Sequence, residues 1–467
     1  MSEQGLTPLA PQRSAVAVGA AQRSFGPPLW RQLQATAQSL QCVREGQSLT
    51  SVLQAIPVNL RPGTQALTFH VLRWLGYAQA VRRQLVSRQP TAAADALLCT
   101  ALALTEPLGN APYDVYTLVD QTVEAAKRQP ALRTLAPFIN ACMRRYLREC
   151  DALAEIVARD PVAQWNHPLW WIQQVKADHP AHWQLLLQRA NVAAPMVLRI
   201  NKQKTTVAQY LDALNAIHKE AKKLGDQGLI LSQPCPVQQL PGFEQGWVSV
   251  QDGAAQMAAP LLLKDLVMTE PLHVLDACAA PGGKTAHLLE CLHPQDKLVA
   301  IDVDAARCQR IEQNLHRLSL RAQVLVANAA DPAQWWPVHC GSRLFDAILL
   351  DAPCTASGIV RRHPDVRWLR RHADIAQLAA QQRVLLEGLW PLLKPGGRML
   401  YCTCSMFKAE GSEQMQTFLT RNTDAVLLSS PGYLLPLMQV NPATVPDNVS
   451  GDYDCFFYAL LEKRALA

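Results

Sequence analysis

From Gly242 onward the chain alternates apolar runs with amphipathic segments. LHVLDAC, KLVAIDVD, QVLVAN, FDAILLDAPC and RMLYCTCS are separated by stretches such as KTAHLLECL, ARCQRIEQNLHRL and IAQLAAQQRVLLEGLWPLL. Runs that are apolar throughout suit strands buried on both faces, and intervening helices cover both faces in a doubly wound parallel sheet. The terminal CFFYALLEK adds an expected last strand, antiparallel at an edge. Upstream the period changes. From Leu29 to about Ala163 apolar residues recur at three and four spacing in LWRQLQATAQSLQCV, ALTFHVLRWLGYAQAVRRQL and LAPFINACMRRYLREC. Breaks at Pro57, Pro62 with Gly63, Pro90, and Gly109 to Pro112 divide this stretch into an expected five to seven helices. Between the two regions lie a strand-like VLRINKQKT and a helical YLDALNAIHKEAKKL.

The expected organisation is multidomain. Residues 1–25, without apolar periodicity, form a flexible lead-in; 26–164 an all-α domain; 165–240 a small α+β subdomain; and 241–467 an α/β, Rossmann-like domain. A length of 467 residues agrees, since it exceeds what one core usually holds. Composition, 49% hydrophobic and 18% charged, excludes intrinsic disorder. No apolar run reaches the roughly 18 residues that span a bilayer, and the N-terminus lacks a basic leader, so a soluble, cytoplasmic protein is expected. Thirteen cysteines scattered over a long chain read as reduced thiols rather than a disulfide scaffold. The net charge of +6 permits a polyanionic partner without requiring one.

The segment HVLDACAAPGGKTAHLLE reads as strand, glycine turn and helix, which brings backbone N–H groups close to a ligand at a helix N-terminus. It fits neither familiar phosphate motif. A P-loop needs glycine five residues before Gly283, where Cys278 stands, and Pro281-Gly282-Gly283 does not supply G-x-G-x-x-G. About twenty residues on, Asp302 ends the second strand, where a carboxylate accepts hydrogen bonds from ribose hydroxyls. A nucleoside-containing ligand is therefore expected, against the plainer alternative of a tight turn and a helix-capping acid. Asn328 ends the third strand and Asp351-Ala352-Pro353-Cys354 the fourth, and ligands of open α/β sheets bind outside these carboxyl ends.

Cys404 leaves the fifth strand on the same rim as Cys354. A lone cysteine is usually a small core residue, but two at neighbouring strand ends suit covalent catalysis. Cys402 and Cys404 share a strand face, so a zinc site with Cys354 and His363 is an alternative, although paired C-x-x-C spacing is lacking.

Three motifs in order, DACAAPGGKT, LLDAPC with a following S-G, and CTCS, resemble those of the RNA cytosine-5 methyltransferases of the Nol1/Nop2/Sun family. VQDGAAQMAAPLLL resembles the element before the family's first motif, and the region with APFINACMRRYL resembles the NusB-like, RNA-binding domain of its bacterial small-subunit rRNA members. The resemblance implies a class I methyltransferase domain using S-adenosylmethionine as cofactor. It implies that Cys278, Ala279, Ala280, Pro281, Gly282, Gly283 and Lys284 line that cofactor, with Asp302 on its ribose hydroxyls. Asn328 stands near the adenine amino group where the family commonly has Asp. Asp351 would border both cofactor and target cytosine, Cys404 would be the nucleophile, and Cys354 the second thiol that assists proton removal and product release. The implied partner is small-subunit (16S) rRNA, with no membrane and no obligate protein partner.

The run Arg361-Arg362-His363-Pro364-Asp365-Val366-Arg367-Trp368-Leu369-Arg370-Arg371 agrees with an RNA partner: five arginines for phosphates and Trp368 for stacking, unless it is a solvated helix cap. Arg144, Arg145 and Arg148, with Lys202 and Lys204, extend this track. Trp335-Trp336 and Trp170-Trp171 read as packing residues. Two other classes remain: a non-catalytic RNA-binding assembly factor with a vestigial methyltransferase fold, and a DNA cytosine-5 methyltransferase, whose nucleophile would be Cys354.

Overall fold

The computed structural model describes residues 26–105, 112–266, 270–436 and 452–464. The expected lead-in at 1–25 and part of the break from Gly109 lie outside them. Eight helices, from Leu29–Arg44 to Pro161–Trp165, make up the N-terminal region among the described residues. Their apolar stripes meet in one core that includes Leu33, Leu40, Val71, Leu98 and Ile139. The central helix Ala92–Leu104 is buried along most of its length, and its buried Asp95 is bridged by Arg44 at 2.8 Å and Arg82 at 2.7 Å.

The segment through Trp74, expected to run as one helix, is two: Arg61–Arg73 and Leu75–Leu85. The cause is distant in sequence. Gly76 packs on the Val162 carbonyl where no Cβ fits, and the Tyr77 N–H donates to Asn166 Oδ1 at 2.9 Å. The short helix Pro161–Trp165 and Asn166 therefore support a break that the local sequence marks only by Gly76.

The small α+β part is an antiparallel sheet of β1 (Val197–Ile200), β2 (Ala221–Leu224), β3 (Gly228–Leu231) and β4 (Val248–Val250), in the order β2-β3-β1-β4. Its helix runs only over Val207–Ala216, shorter than expected. It opens on a capping box between Thr206 and Gln209 and is followed by His218 at φ 56°. Ala221–Leu224 then pairs with β3 instead of continuing the helix. Cross-strand pairing outweighs the helical propensity of KEAKKL.

The C-terminal sheet contains β5 (His273–Ala277), β6 (Lys297–Asp302), β7 (Gln323–Val326), β8 (Phe345–Asp351), β9 (Leu393–Thr403), β10 (Ala425–Leu427), β11 (Gly432–Leu434) and β12 (Phe456–Lys463). The order is β10-β12-β9-β8-β5-β6-β7, with β11 also on β12. Strands β9-β8-β5-β6-β7 are parallel, as their all-apolar runs require. β12 is antiparallel, as expected, but it is not an edge: β10 and β11 pair along its outer side. In register, Asp351 stands opposite Cys402 and Asp302 opposite Val326. The carboxyl ends of the five parallel strands thus share one rim.

The arginine run does not form an RNA-facing patch; it is the seam between the parts of the molecule. Arg361 bridges Asp452 at 2.8 Å, and Arg362 bridges Asp454 at 2.6 Å and Asp252 at 2.8 Å. Arg370 donates to the carbonyls of Thr355 at 3.0 Å and Cys354 at 3.2 Å. Trp368 donates its ring N–H to the Leu72 carbonyl at 2.8 Å and packs on the helical core, so it is not a free stacking platform. Arg367 is fully buried and donates to the carbonyls of Ala190 at 2.6 Å and Asn166 at 3.2 Å and to the Asn191 side chain. Only Arg371 of the five is exposed. A charge run reads as surface, but a chain that passes between domains has many carbonyls and carboxylates to satisfy, and arginine does so with five donors. Arg367→Met strands three such acceptors and should lower stability by about 3 kcal/mol or more in denaturant unfolding. Trp171 and Trp335 are buried packing residues, in keeping with their sequence reading.

Candidate active site

The turn after β5 reverses through Cys278 at φ 61° and Gly282 at φ 92°, and the helix Gly283–Cys291 starts directly behind it. The two glycines do different work. Gly282 needs its left-handed backbone, and a Cβ there would come within 3.1 Å of the Ile311 backbone on the helix Ala305–Leu318, whereas a Cβ on Gly283 would meet nothing nearer than Gln251 Nε2 at 3.8 Å. Gly283 is thus the open position at this helix N-terminus. Asp302, almost fully buried, accepts from the Ala280 N–H at 3.1 Å and the Asp304 N–H at 3.2 Å and has Arg307 at 3.4 Å. It orders the loop from the neighbouring strand. Asn328 lies two residues beyond the end of β7, exposed, with Oδ1 accepting from the Ala330 N–H at 3.0 Å.

At the centre stands Asp351. Its Oδ2 accepts from Lys284 Nζ at 2.7 Å and its Oδ1 from the Cys402 thiol at 3.4 Å. Lys284 also lies 5.1 Å from the Phe456 ring centre. Burial works against the lysine's charge, but the Asp351 carboxylate and the nearby Cys402 outweigh it, and Lys284 is held charged above its ordinary range. The two predicted thiols meet: Cys354 Sγ and Cys404 Sγ are 3.5 Å apart. Cys354 is buried and Cys404 half-buried. The hydrogen bond to Cys404, together with burial, pushes the Cys354 thiol well up; burial and Asp351 do the same for Cys402. Burial, Asp351 and Asp302 push Cys278 up to about 12. Among the described residues no three His, Cys, Asp or Glu side chains stand together in a way that would hold a metal ion, and His363 is not part of the thiol pair.

Three further neighbours of this rim bear on it; Asp276 and Glu410 were not singled out from the sequence, and Arg370 was read there only as a phosphate contact. Asp276, at the end of β5, is fully buried; Oδ2 accepts from the Thr285 hydroxyl at 2.6 Å and Oδ1 has no partner among the described residues. Arg370 holds the backbone beside Cys354, and Glu410 reaches the loops carrying both thiols. The acid of the DAC triplet was the one signal available for Asp276, as a charge inside an otherwise apolar strand; Glu410 has no such signal.

Burial raises the Asp276 carboxyl to about 7, with the Thr285 hydroxyl opposing. The folded protein then holds a proton that unfolded aspartate releases near 3.9. Stability falls as pH rises from about 4 to about 7, by up to about 4 kcal/mol from this group. In thermal unfolding of the ligand-free protein, Asp276→Asn should lessen that decline; an identical pH dependence in the variant would refute the assignment.

A parallel sheet with an acidic strand-end rim, an open helix N-terminus and a flanking antiparallel strand defines a class I methyltransferase domain behind a helical N-terminal region. Residues 265–462 match the model of the family described as 16S rRNA methyltransferase RsmB/F, and residues 167–238 that of its RsmF/B-like ferredoxin-like domain. Ribosomal RNA small subunit methyltransferase B of Erwinia tasmaniensis is 39% identical over 430 residues, covering 90% of this chain and 96% of that one. The Vibrio cholerae protein of the same name is 39% identical over 432 residues, covering 91% and 95%. The fold matches the crystal structure of PH0851 with a TM-score of 0.72 at 24% identity, over 94% of this chain and 99% of that one. The chain belongs to the RsmB/F family of 16S rRNA methyltransferases. Its methyl donor is S-adenosylmethionine. Among the described residues no helix is long and apolar enough to cross a membrane.

Proposed function

We propose that this protein methylates carbon 5 of a cytosine in small-subunit rRNA through a covalent adduct between Cys404 and carbon 6. The observation that carries this reading is the thiol pair at 3.5 Å, one member half-buried and the other buried. Carbon 5 of cytosine is a poor nucleophile until a thiolate adds at carbon 6 and moves electron density onto it. Cys404, the more accessible sulfur, makes that bond. Once carbon 5 carries the methyl group it must lose its proton, after which the carbon–sulfur bond breaks, the double bond returns and Cys404 leaves as thiolate. Cys354, beside the adduct, assists the proton's removal and the release.

The residues present fit the cofactor, which supplies an electrophilic methyl on a sulfonium and is therefore cationic. The crevice offers three carboxyl groups: Asp276, with a buried oxygen that has no partner among the described residues, Asp302 beside Arg307, and Asp351 held by Lys284. Cys278 to Lys284 line it, with Gly283 leaving space; Asp302 takes ribose hydroxyls, and Asn328 offers an amide oxygen near the adenine. Asp351 borders cofactor and target, where it accepts from the exocyclic amine and steadies charge developing on the ring. Lys284 holds that carboxylate in place. A cytosine can reach the crevice only outside its base stack, so a loop or opened helix is the substrate. Arg144, Arg148 and Lys202 stay exposed and suit phosphates, whereas Arg145 is occupied by Glu149 and Lys204 by the Gln245 carbonyl.

Small-subunit rRNA carrying 5-fluorocytosine tests this reading, because fluorine at carbon 5 cannot leave as a cation. The expected result is a stable protein–RNA adduct that requires S-adenosylmethionine and maps to Cys404 by mass spectrometry; an adduct on Cys354 would reverse the two roles.

A further inference from the structure

We infer that Glu410 is a positioning residue that sets the separation of the two active-site sulfurs, an inference that rests on the roles proposed for Cys354 and Cys404. Glu410 is fully buried in the short turn Lys408–Glu410. Its Oε2 accepts from the Thr355 hydroxyl at 2.5 Å and the Ser405 hydroxyl at 2.5 Å. Its Oε1 accepts from the Thr355 N–H at 2.8 Å and from Gln382 Nε2 at 3.2 Å. Thr355 follows Cys354 and Ser405 follows Cys404. One carboxylate therefore grips the residue after each thiol, and the two hydroxyls are themselves 3.3 Å apart. From the other side Arg370 takes the carbonyls of Cys354 and Thr355, and the Tyr401 hydroxyl donates to the Glu410 carbonyl at 2.9 Å.

All four partners of the carboxylate are neutral donors, and no cation pairs with it among the described residues. Burying a carboxylate without a counter-charge costs stability, so a turn serving only the fold gains little from it. A carboxylate does accept from every side at once, whereas an amide would turn an NH2 toward one of these donors. The reaction needs two sulfurs addressing adjacent carbons of one ring, where a displacement of about 1 Å costs about 100-fold in rate.

The test uses the full-length protein and reads sulfur separation apart from turnover. Dibromobimane bridges nearby thiols, and its bridge between Cys354 and Cys404 is mapped by mass spectrometry in wild type, Glu410→Gln and Ser405→Ala. Glu410→Gln keeps the side-chain shape; Ser405→Ala removes one hydroxyl and stands in should the former fail to fold. The expected result in a folded variant is bridging slowed about tenfold and kcat lowered about 100-fold, with S-adenosylmethionine affinity by calorimetry within about twofold of wild type. Bridging and kcat both within about threefold of wild type would overturn the inference, as would kcat lost only in parallel with cofactor binding. Slowed bridging in variants of a protein that forms no 5-methylcytosine would leave the positioning role standing and sink the reaction instead.

Discussion

Cys404→Ala should abolish both methyl transfer and adduct formation, lowering the rate by about 10⁴-fold or more, because it removes the group that makes carbon 5 nucleophilic. Nothing else on the rim substitutes. Cys354 and Cys402 are both buried, and Cys402 is hydrogen-bonded to Asp351. Cofactor affinity should be unchanged within about twofold, since Cys404 is not among the residues assigned to the cofactor. Single-turnover methylation with gel analysis of covalent complexes checks both statements. A variant retaining turnover would exclude Cys404 as nucleophile and revive the chemistry in which the proline-linked thiol attacks. A wild-type protein that binds cofactor and immature particles but transfers nothing would favour the non-catalytic assembly factor.

Cys354→Ala should behave in the opposite way. The first bond still forms and methyl transfer still proceeds, but proton removal and release slow by about 10³-fold, in the range of a lost general acid–base group. The covalent protein–RNA complex should accumulate toward one per enzyme during turnover and survive denaturing electrophoresis. The two phenotypes differ in kind, which makes the pair more informative than either loss of rate. Loss of both adduct and turnover in Cys354→Ala would place the nucleophile at that sulfur.

The parallel sheet was legible because its strands are apolar on both faces, and the rim followed from it: Asp302, Asp351, Cys354 and Cys404 all lie at or just past carboxyl ends. The sulfur contact was legible only as convergence, since no spacing tells 3.5 Å from twice that distance. Other errors share one physical origin. The helix break at Trp74, the strand Ala221–Leu224 and the extra strands beyond β12 are each imposed by partners far along the chain. Periodicity reports local burial and not the identity of the neighbour. The arginine run misled for the same reason, since its charges meet internal carbonyls and carboxylates from three regions of the sequence. Glu410 was the hardest to see: a single acid in KAEGSE has every mark of an exposed cap, and only the fold reveals four donors around it.

Transfer of labelled methyl from S-adenosylmethionine to protein-free small-subunit rRNA, followed by nucleoside analysis, tests the central claim most directly. The account predicts label in 5-methylcytosine and none with Cys404→Ala. Label in any other nucleoside, or 5-methylcytosine formed undiminished by Cys404→Ala, would contradict it.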